Sequence, residues 1–179
     1  GHRGIPILRM PSTTLSQGDS GVGIKNGVNY FEKKNFIGTF DPPYAVINDS
    51  SLLETLTDEH WRSGLSEAIK VALIKDEELF DEIELQSKAF LERDMNAMVA
   101  ALQRSSELHL RHIAECGDPF ERLEARPLDF GHWAAHKLEQ LTNYELSHGD
   151  AVAIGLSIDL MCSVNLGFLD KTIADRAIS

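Results

Sequence analysis

Cysteine is nearly absent from this chain, aromatic residues are few, bases are outnumbered by acids, and no long apolar run occurs. Cys116 and Cys162 are the 2 cysteines among 179 residues. They are too few and too far apart for a disulfide framework or a thiolate metal cage, so both are expected to be buried thiols in a reducing compartment. No apolar stretch approaches the roughly 18 residues of a membrane-spanning helix. Gly1-His2-Arg3-Gly4 is not followed by the apolar core of an export signal, so a cytoplasmic protein with no membrane partner is expected. Lys and Arg total 17 against 28 Asp and Glu, a formal net charge of -11. A field of that sign repels phosphate backbones, which argues against nucleic acid and requires a local group of cations wherever an anionic small molecule binds. Neither a Walker loop nor a complete dinucleotide fingerprint is present. Internal repeats and low-complexity tracts are also missing.

With 42% hydrophobic residues the chain can bury an ordinary core. Ile5 to Met10 is a short apolar run between Gly4 and Pro11, the pattern of a buried strand in a parallel sheet. Residues 12 to 43, rich in Ser, Thr, Gly, Asn and Lys, read as a long ordered loop or hairpin, and loops of that length are usually functional or disordered. Tyr44 to Asp49, entered through Pro42-Pro43, reads as a second strand. Helical patterning takes over afterwards. A helix is predicted from about Thr57 to Lys75, with Asp58 and Glu59 suiting the dipole of its first turn and Trp61, Leu65, Ile69 and Ala72 forming an apolar stripe. Further helices are predicted at about 76 to 91, 94 to 115, 128 to 142 and 148 to 166, and a new one opens after Asp170. The composition shift divides the chain into an α/β remnant over 1–56 and a mainly α-helical domain over 57–179. A two-stranded α/β piece cannot close its own core, so the amino end is expected to be truncated.

Two constellations carry chemistry. His132 and His136 are four residues apart and share one helix face, a spacing that suits metal ligands and equally suits two ordinary helix residues. His148 opens a helix in a Ser-His-Gly-Asp corner, and Glu67 interrupts an apolar stripe beside Lys70, where a buried carboxylate needs a partner. Glu67 with two or three of these histidines would make a carboxylate and nitrogen site suited to zinc with an open position. The second constellation is basic: Lys25, Lys33 and Lys34 with Asn35 in the glycine-bearing loop, and Lys70 one turn after Glu67. Lys33 and Lys34 read as a solvated charge run or as ammonium groups that hold phosphate or hydroxyls. Gly18, Gly21, Gly23 and Gly27 permit turns and close backbone approach.

As strings, Pro11 to Lys25 and Lys34-Asn35-Phe36-Ile37-Gly38 resemble the substrate and cofactor loop of the 3-dehydroquinate synthase family of sugar phosphate cyclases. Gly64 to Lys70 resembles that family's metal-glutamate helix, Phe130 to His136 its GHxxxH segment, and His148 to Gly155 its HGEAVAxG segment. The order and spacing hold across nearly the whole chain. The resemblance implies Glu67, His132 and His148 as ligands of zinc or cobalt, with His136 on the substrate side, which replaces the simple i, i+4 pairing. It places Lys25, Asn35 and Lys70 at substrate and phosphate contacts, and Thr13, Asp19, Lys34 and the Leu52 to Thr55 stretch at contacts with NAD. The family's glycine-rich pyrophosphate turn would precede Gly1, so the chain alone is expected to be inactive.

The implied reaction oxidises a ring hydroxyl with NAD, eliminates phosphate, reduces the ketone again and closes a carbocycle by intramolecular aldol addition. Two departures bear on substrate: Ala125, next to Arg126, stands where the family's arginine grips a carboxylate, and Asp129 replaces an asparagine. An acid there, without the guanidinium, would repel a carboxylate, which favours a neutral-headed phosphorylated heptose such as sedoheptulose 7-phosphate. His109 stands where the family has lysine. The segment from Asp129 to His136 also resembles cyclase-like proteins of ebo-type clusters. Two other readings fit the same residues: a polyol oxidoreductase like the iron-type alcohol dehydrogenases, and a non-catalytic metal-binding remnant. A homodimer is the assembly that the resemblance suggests.

Overall fold

The structure, a computed structural model, describes residues 5–31, 33–38, 41–115 and 126–179, with the backbone alone for Asn29, 33–35, 126 and 127. Cys116, the Gly117-Asp118-Pro119 stretch and Ala125 therefore lie outside the described residues. Strand β1 (Leu8–Arg9) pairs in parallel with β4 (Ala45–Val46), Leu8 opposite Ala45. Between them β2 (Gly27–Tyr30) and β3 (Lys33–Gly38) form an antiparallel hairpin with an irregular register between Val28 and Tyr30. The parallel pairing follows the sequence pattern, but burial does not: Leu8 is 61% exposed and Met10 60%. Apolar side chains on a strand become buried only where another layer covers them, and among the described residues no such layer lies over β1.

The long loop contains an element that its composition did not announce, a π-helical turn over Ser16–Ser20. It docks on the first long helix, α1 (Asp58–Lys75), because the backbone of Gly64 comes so close to Thr14 that a Cβ there would collide with the Thr14 carbonyl carbon. Thr14 is fully buried, its hydroxyl donating to the His60 carbonyl at 2.7 Å and accepting from the Gly64 N–H at 3.1 Å. Helix α1 starts where expected, with the Thr57 hydroxyl accepting from the His60 N–H at 3.3 Å, a side-chain cap for one of the first-turn amides.

The helix predicted over 76–91 is divided into α2 (Glu77–Leu85) and α3 (Ser87–Leu91), with Gln86 leaving helical geometry at φ -96° and ψ 9°. The turn carries Phe90 into the core, where its carbonyl accepts the Trp61 indole N–H at 2.9 Å. Tertiary packing thus overrides helical continuity. Helix α4 (Met95–Glu115) follows, and Trp61, Leu79, Met98 and Leu102 close the larger apolar cluster between α1, α2 and α4. The helix predicted from 128 starts later: Arg126–Asp129 form a 3₁₀ turn and α5 (His132–Leu141) begins after Gly131, whose φ of 78° favours glycine. Then come α6 (His148–Asn165) and α7 (Lys171–Ile178). Ala135, Ala151, Val152 and Leu156 form a smaller cluster between α5 and α6. Cys162 is exposed rather than buried: α6 is apolar around much of its girth, and its outer face, with Ile154 43% exposed and Ile158 39%, is uncovered among the described residues. No helix of the described residues is long and apolar enough to cross a membrane.

Candidate metal centre

Three helices bring one donor each to a common point. Glu67 lies mid-way along α1, His132 is the first residue of α5, and His148 is the first residue of α6. Their approach depends on glycine. A side chain on Gly155 would run into the Gly131 carbonyl oxygen, and one on Gly149 into the backbone of Ser63, so α6 lies against both α5 and α1 only because these positions carry no Cβ. Asp159 of α6 fixes the start of α5, accepting from the Gly131 N–H at 2.6 Å and from the Trp133 indole at 3.2 Å. The Ser147 hydroxyl caps α6 by accepting from the Asp150 N–H at 3.2 Å.

Glu67 Oε1 lies 3.2 Å from His132 Nε2 and 3.2 Å from His148 Nε2, and one donor atom of each residue lies within 4.8 Å of the others. The remaining ring nitrogens are engaged elsewhere. His132 Nδ1 is 3.2 Å from the Phe130 carbonyl oxygen, and His148 Nδ1 is 3.1 Å from Glu139 Oε1. A carbonyl oxygen only accepts, so His132 donates through Nδ1 and its neutral ring presents a lone pair at Nε2; the Glu139 carboxylate imposes the same tautomer on His148. Two lone pairs thus converge on a carboxylate oxygen, an arrangement that repels itself unless a cation stands among the three or the rings are protonated. Zinc bonds of about 2.0–2.1 Å in a tetrahedral site separate neighbouring donors by about 3.3 Å. The 3.2 Å separations therefore fit such an ion, and the residues present fit the group.

Glu67 is fully buried. Burial alone would raise its pKa, but the Lys70 ammonium, 2.5 Å from Oε2, and the two imidazoles outweigh that cost and hold the carboxyl well below the usual carboxylate range. Beside the trio opens a cleft of about 570 Å³ lined by Lys25, Lys70, His136 and Asp129 among others. Cations demanded by the acidic net charge thus gather locally.

Of the residues singled out from sequence, Lys25, Lys70, His136 and Asp19 line this cleft with His132 and His148. His136 stands beside the trio, its ring centroid 5.5 Å from that of His132 and 6.2 Å from that of His148. Thr13 and Thr55 are not among the cleft-lining residues: the Thr13 hydroxyl lies 2.8 Å from the Ser16 hydroxyl, and Thr55 is exposed just beyond the 3₁₀ turn Ser50–Leu53. The side chains of Lys34 and Asn35 lie outside the described residues. Sequence reasoning missed Glu139 and Asp159. Glu139 falls seven residues after His132 and three after His136, so it shares their helix face, and that spacing was the available signal.

Two family profiles divide the chain between them, the one described as 3-dehydroquinate synthase N-terminal over residues 1–63 and the one described as 3-dehydroquinate synthase C-terminal over 64–179. The chain is 41% identical over 175 residues to the 3-dehydroquinate synthase of Geobacter sp. (strain M21), an alignment covering 97% of this chain and 47% of that protein. Against the 2-epi-valiolone synthase of Actinosynnema mirum it is 37% identical over 175 residues, 97% of this chain and 45% of that protein. The chain thus spans about half the length of the curated relatives it matches. The solved structure of ValA, a 2-epi-5-epi-valiolone synthase from Streptomyces hygroscopicus subsp. jinggangensis 5008 with NAD+ and Zn2+ bound, superposes with a TM-score of 0.89 at 34% identity, covering 97% of this chain and 48% of that one. A 2-deoxy-scyllo-inosose synthase shares the fold, with a TM-score of 0.73 at 24% identity over 98% of this chain and 47% of that one. Family profiles over its whole length, and relatives on both the dehydroquinate and the valiolone side, agree with the helices that carry Glu67, His132 and His148: this chain belongs to the 3-dehydroquinate synthase family.

Proposed function

We propose that this chain carries the metal-binding portion and part of the substrate-binding portion of an NAD-dependent sugar phosphate cyclase, with residues 1–56 in its nucleotide-binding part and 57–179 in its helical metal part. The observation that carries the reading is the convergence of Glu67 Oε1 with two imidazole Nε2 atoms at 3.2 Å, beside a cleft that also holds Lys25 and Lys70. Glu67, His132 and His148 would hold zinc or cobalt. A bound ion there would supply Lewis-acid polarisation of a carbinol or ketone oxygen, and NAD would supply the hydride acceptor and donor.

The chain's own side chains position and exclude. Glu139 and the Phe130 carbonyl hold the two imidazoles in the ligating tautomer. Lys70, 3% exposed at its side chain, keeps Glu67 ionised and presents a positive group at the cleft wall. Lys25 and Asn35 take the phosphate and hydroxyls of the substrate, Thr13, Asp19, Lys34 and Thr55 serve NAD, and His136 stabilises charge or passes a proton beside the trio. Asp129 lines the cleft as an exposed acid. It accepts hydrogen bonds from hydroxyls and repels a carboxylate, which supports a neutral-headed phosphorylated heptose, sedoheptulose 7-phosphate, over the carboxylated dehydroquinate precursor.

The test is phosphate release by a chimera in which this chain replaces the matching segment of the Actinosynnema mirum synthase, supplied with zinc and NAD. Release from sedoheptulose 7-phosphate alone is expected. Release from the carboxylated precursor alone would overturn the substrate assignment, and NADH accumulation without phosphate release would replace the cyclase reading with simple polyol oxidation.

A further inference from the structure

A second acid–base pair faces the same cleft and contributes no ligand to the metal trio. Asp19, in the π-helical turn, and His109, on α4, both line the cleft, and Asp19 Oδ1 lies 2.6 Å from His109 Nδ1 with the side chains only 18% and 8% exposed. The pair is held by packing. Ser105, one turn before His109, donates from its hydroxyl to the Gly18 carbonyl at 3.2 Å. A Cβ on Gly18 would stand 2.9 Å from Leu102 Cδ2, and one on Gly23 would stand 3.7 Å from His109 Cε1. The turn and the helix thus pack closely beside the imidazole.

A carboxylate this close favours the ring proton on Nδ1, although the N–H is not aimed along the contact, and that tautomer carries its lone pair on Nε2. The surrounding charges are Glu67 and Lys70 from α1, which act on Asp19 through space, and Lys25 and Arg9 on the cleft wall. His112 lies three residues further along α4. The charge of the pair decides what it can do. With His109 protonated the pair is neutral, and with His109 neutral it carries one negative charge, so it is a poor clamp for a phosphate and a good carrier of one proton. Arg9 is already committed to the loop, donating to the Gly21 and Gly23 carbonyls.

Resting on the cyclase reading, we infer that His109, oriented by Asp19, is a catalytic general acid–base that exchanges a proton with a hydroxyl of the bound sugar phosphate. In the forward transfer the substrate O–H bond breaks, an Nε2–H bond forms, the electron pair stays on oxygen, and Asp19 balances the imidazolium. The reverse transfer returns the same proton to the alkoxide. The arrangement is that of a base held by an orienting carboxylate.

The informative variant is His109→Asn, whose amide N–H reproduces the donor to Asp19 but cannot carry the proton. Two readouts are needed: imidazole ¹⁵N resonances of the zinc-loaded 179-residue chain titrated with sedoheptulose 7-phosphate, and kcat and KM of the chimera with and without the substitution. The expected result is a ligand-dependent shift of the His109 Nε2 resonance, with kcat lower by about 100-fold or more and KM little changed. Unaltered kcat, a rise in KM alone, or a His109 resonance that stays put while the sugar phosphate binds would each overturn the inference. Failure of the sugar phosphate to bind at all, with no turnover by the parent chimera, would remove the cyclase reading and this inference together.

Discussion

Glu67 and Lys70 are three residues apart on one helix face and almost entirely buried, at 1% and 3% side-chain exposure. Two charges removed from water are costly, and removing one of them takes away much of what compensates the other. Glu67→Gln is therefore expected to lower the unfolding free energy of the metal-free chain by about 3 kcal/mol, read from urea midpoints, in addition to abolishing tight metal binding. A variant as stable as the parent would show that Lys70 finds an equivalent partner. Glu139→Leu acts differently. It leaves His148 Nδ1 without its acceptor while keeping every first ligand, so zinc affinity is expected to fall about 10–100-fold, measured by competition with a chromophoric chelator; unchanged affinity would show that the 3.1 Å contact orients nothing. Glu67 was legible in the sequence because an acid in an apolar stripe is conspicuous. Glu139 was not, because a glutamate on an amphipathic helix is usually solvated, and only its spacing from His132 and His136 distinguishes it.

Helix ends and crossings set the geometry at the next scale. Asp76 caps α2, its carboxylate accepting from the Leu79 N–H at 3.1 Å and from Arg104 at 2.8 Å. Burial would raise its pKa, but the backbone N–H of Leu79 and the Arg104 guanidinium outweigh it, so the folded-state value lies below the ordinary 3.8. A lowered carboxylate pKa gives stability that is present above the unfolded value and lost as pH falls through the folded one. Asp76→Ala is thus expected to cost about 1 kcal/mol at neutral pH, and the gap between variant and parent should close as denaturation is followed down through pH 3.8; a gap that is constant with pH would assign the loss to packing. At the α5–α6 crossing, Gly155→Ala would drive a methyl into the Gly131 carbonyl. An overpacked contact of this kind costs about 1–3 kcal/mol, and here it also separates His132 from His148, so thermal stability and zinc affinity should fall together. The starts of α1 near Thr57 and of α6 at His148 were readable from the sequence. The break at Gln86 and the π-helical turn were not, since both arise from what Trp61 and Gly64 pack against rather than from local propensity.

For the molecule as a whole, the sequence conveyed the mainly helical character after residue 57, the parallel strand pair and the position of the helices that carry Glu67, His132 and His148, while its one general rule about burial failed at both ends. Leu8 and Cys162 are apolar or weakly polar and exposed, because burial needs a covering layer that residue type cannot reveal. An ion held by α1, α5 and α6 should tie the two apolar clusters together. Free zinc at 100 times its dissociation constant stabilises a protein that binds it only when folded by about 2.7 kcal/mol, so the melting temperature of the chain should rise with zinc and fall back on adding chelator. The most direct test of the centre is calorimetric titration of the 179-residue chain with zinc, alongside His132→Gln, His148→Gln and His136→Gln. One ion per chain, lost in the first two variants and retained in the third, is the predicted result. Binding that survives both His132→Gln and His148→Gln, or that disappears with His136→Gln, would contradict it.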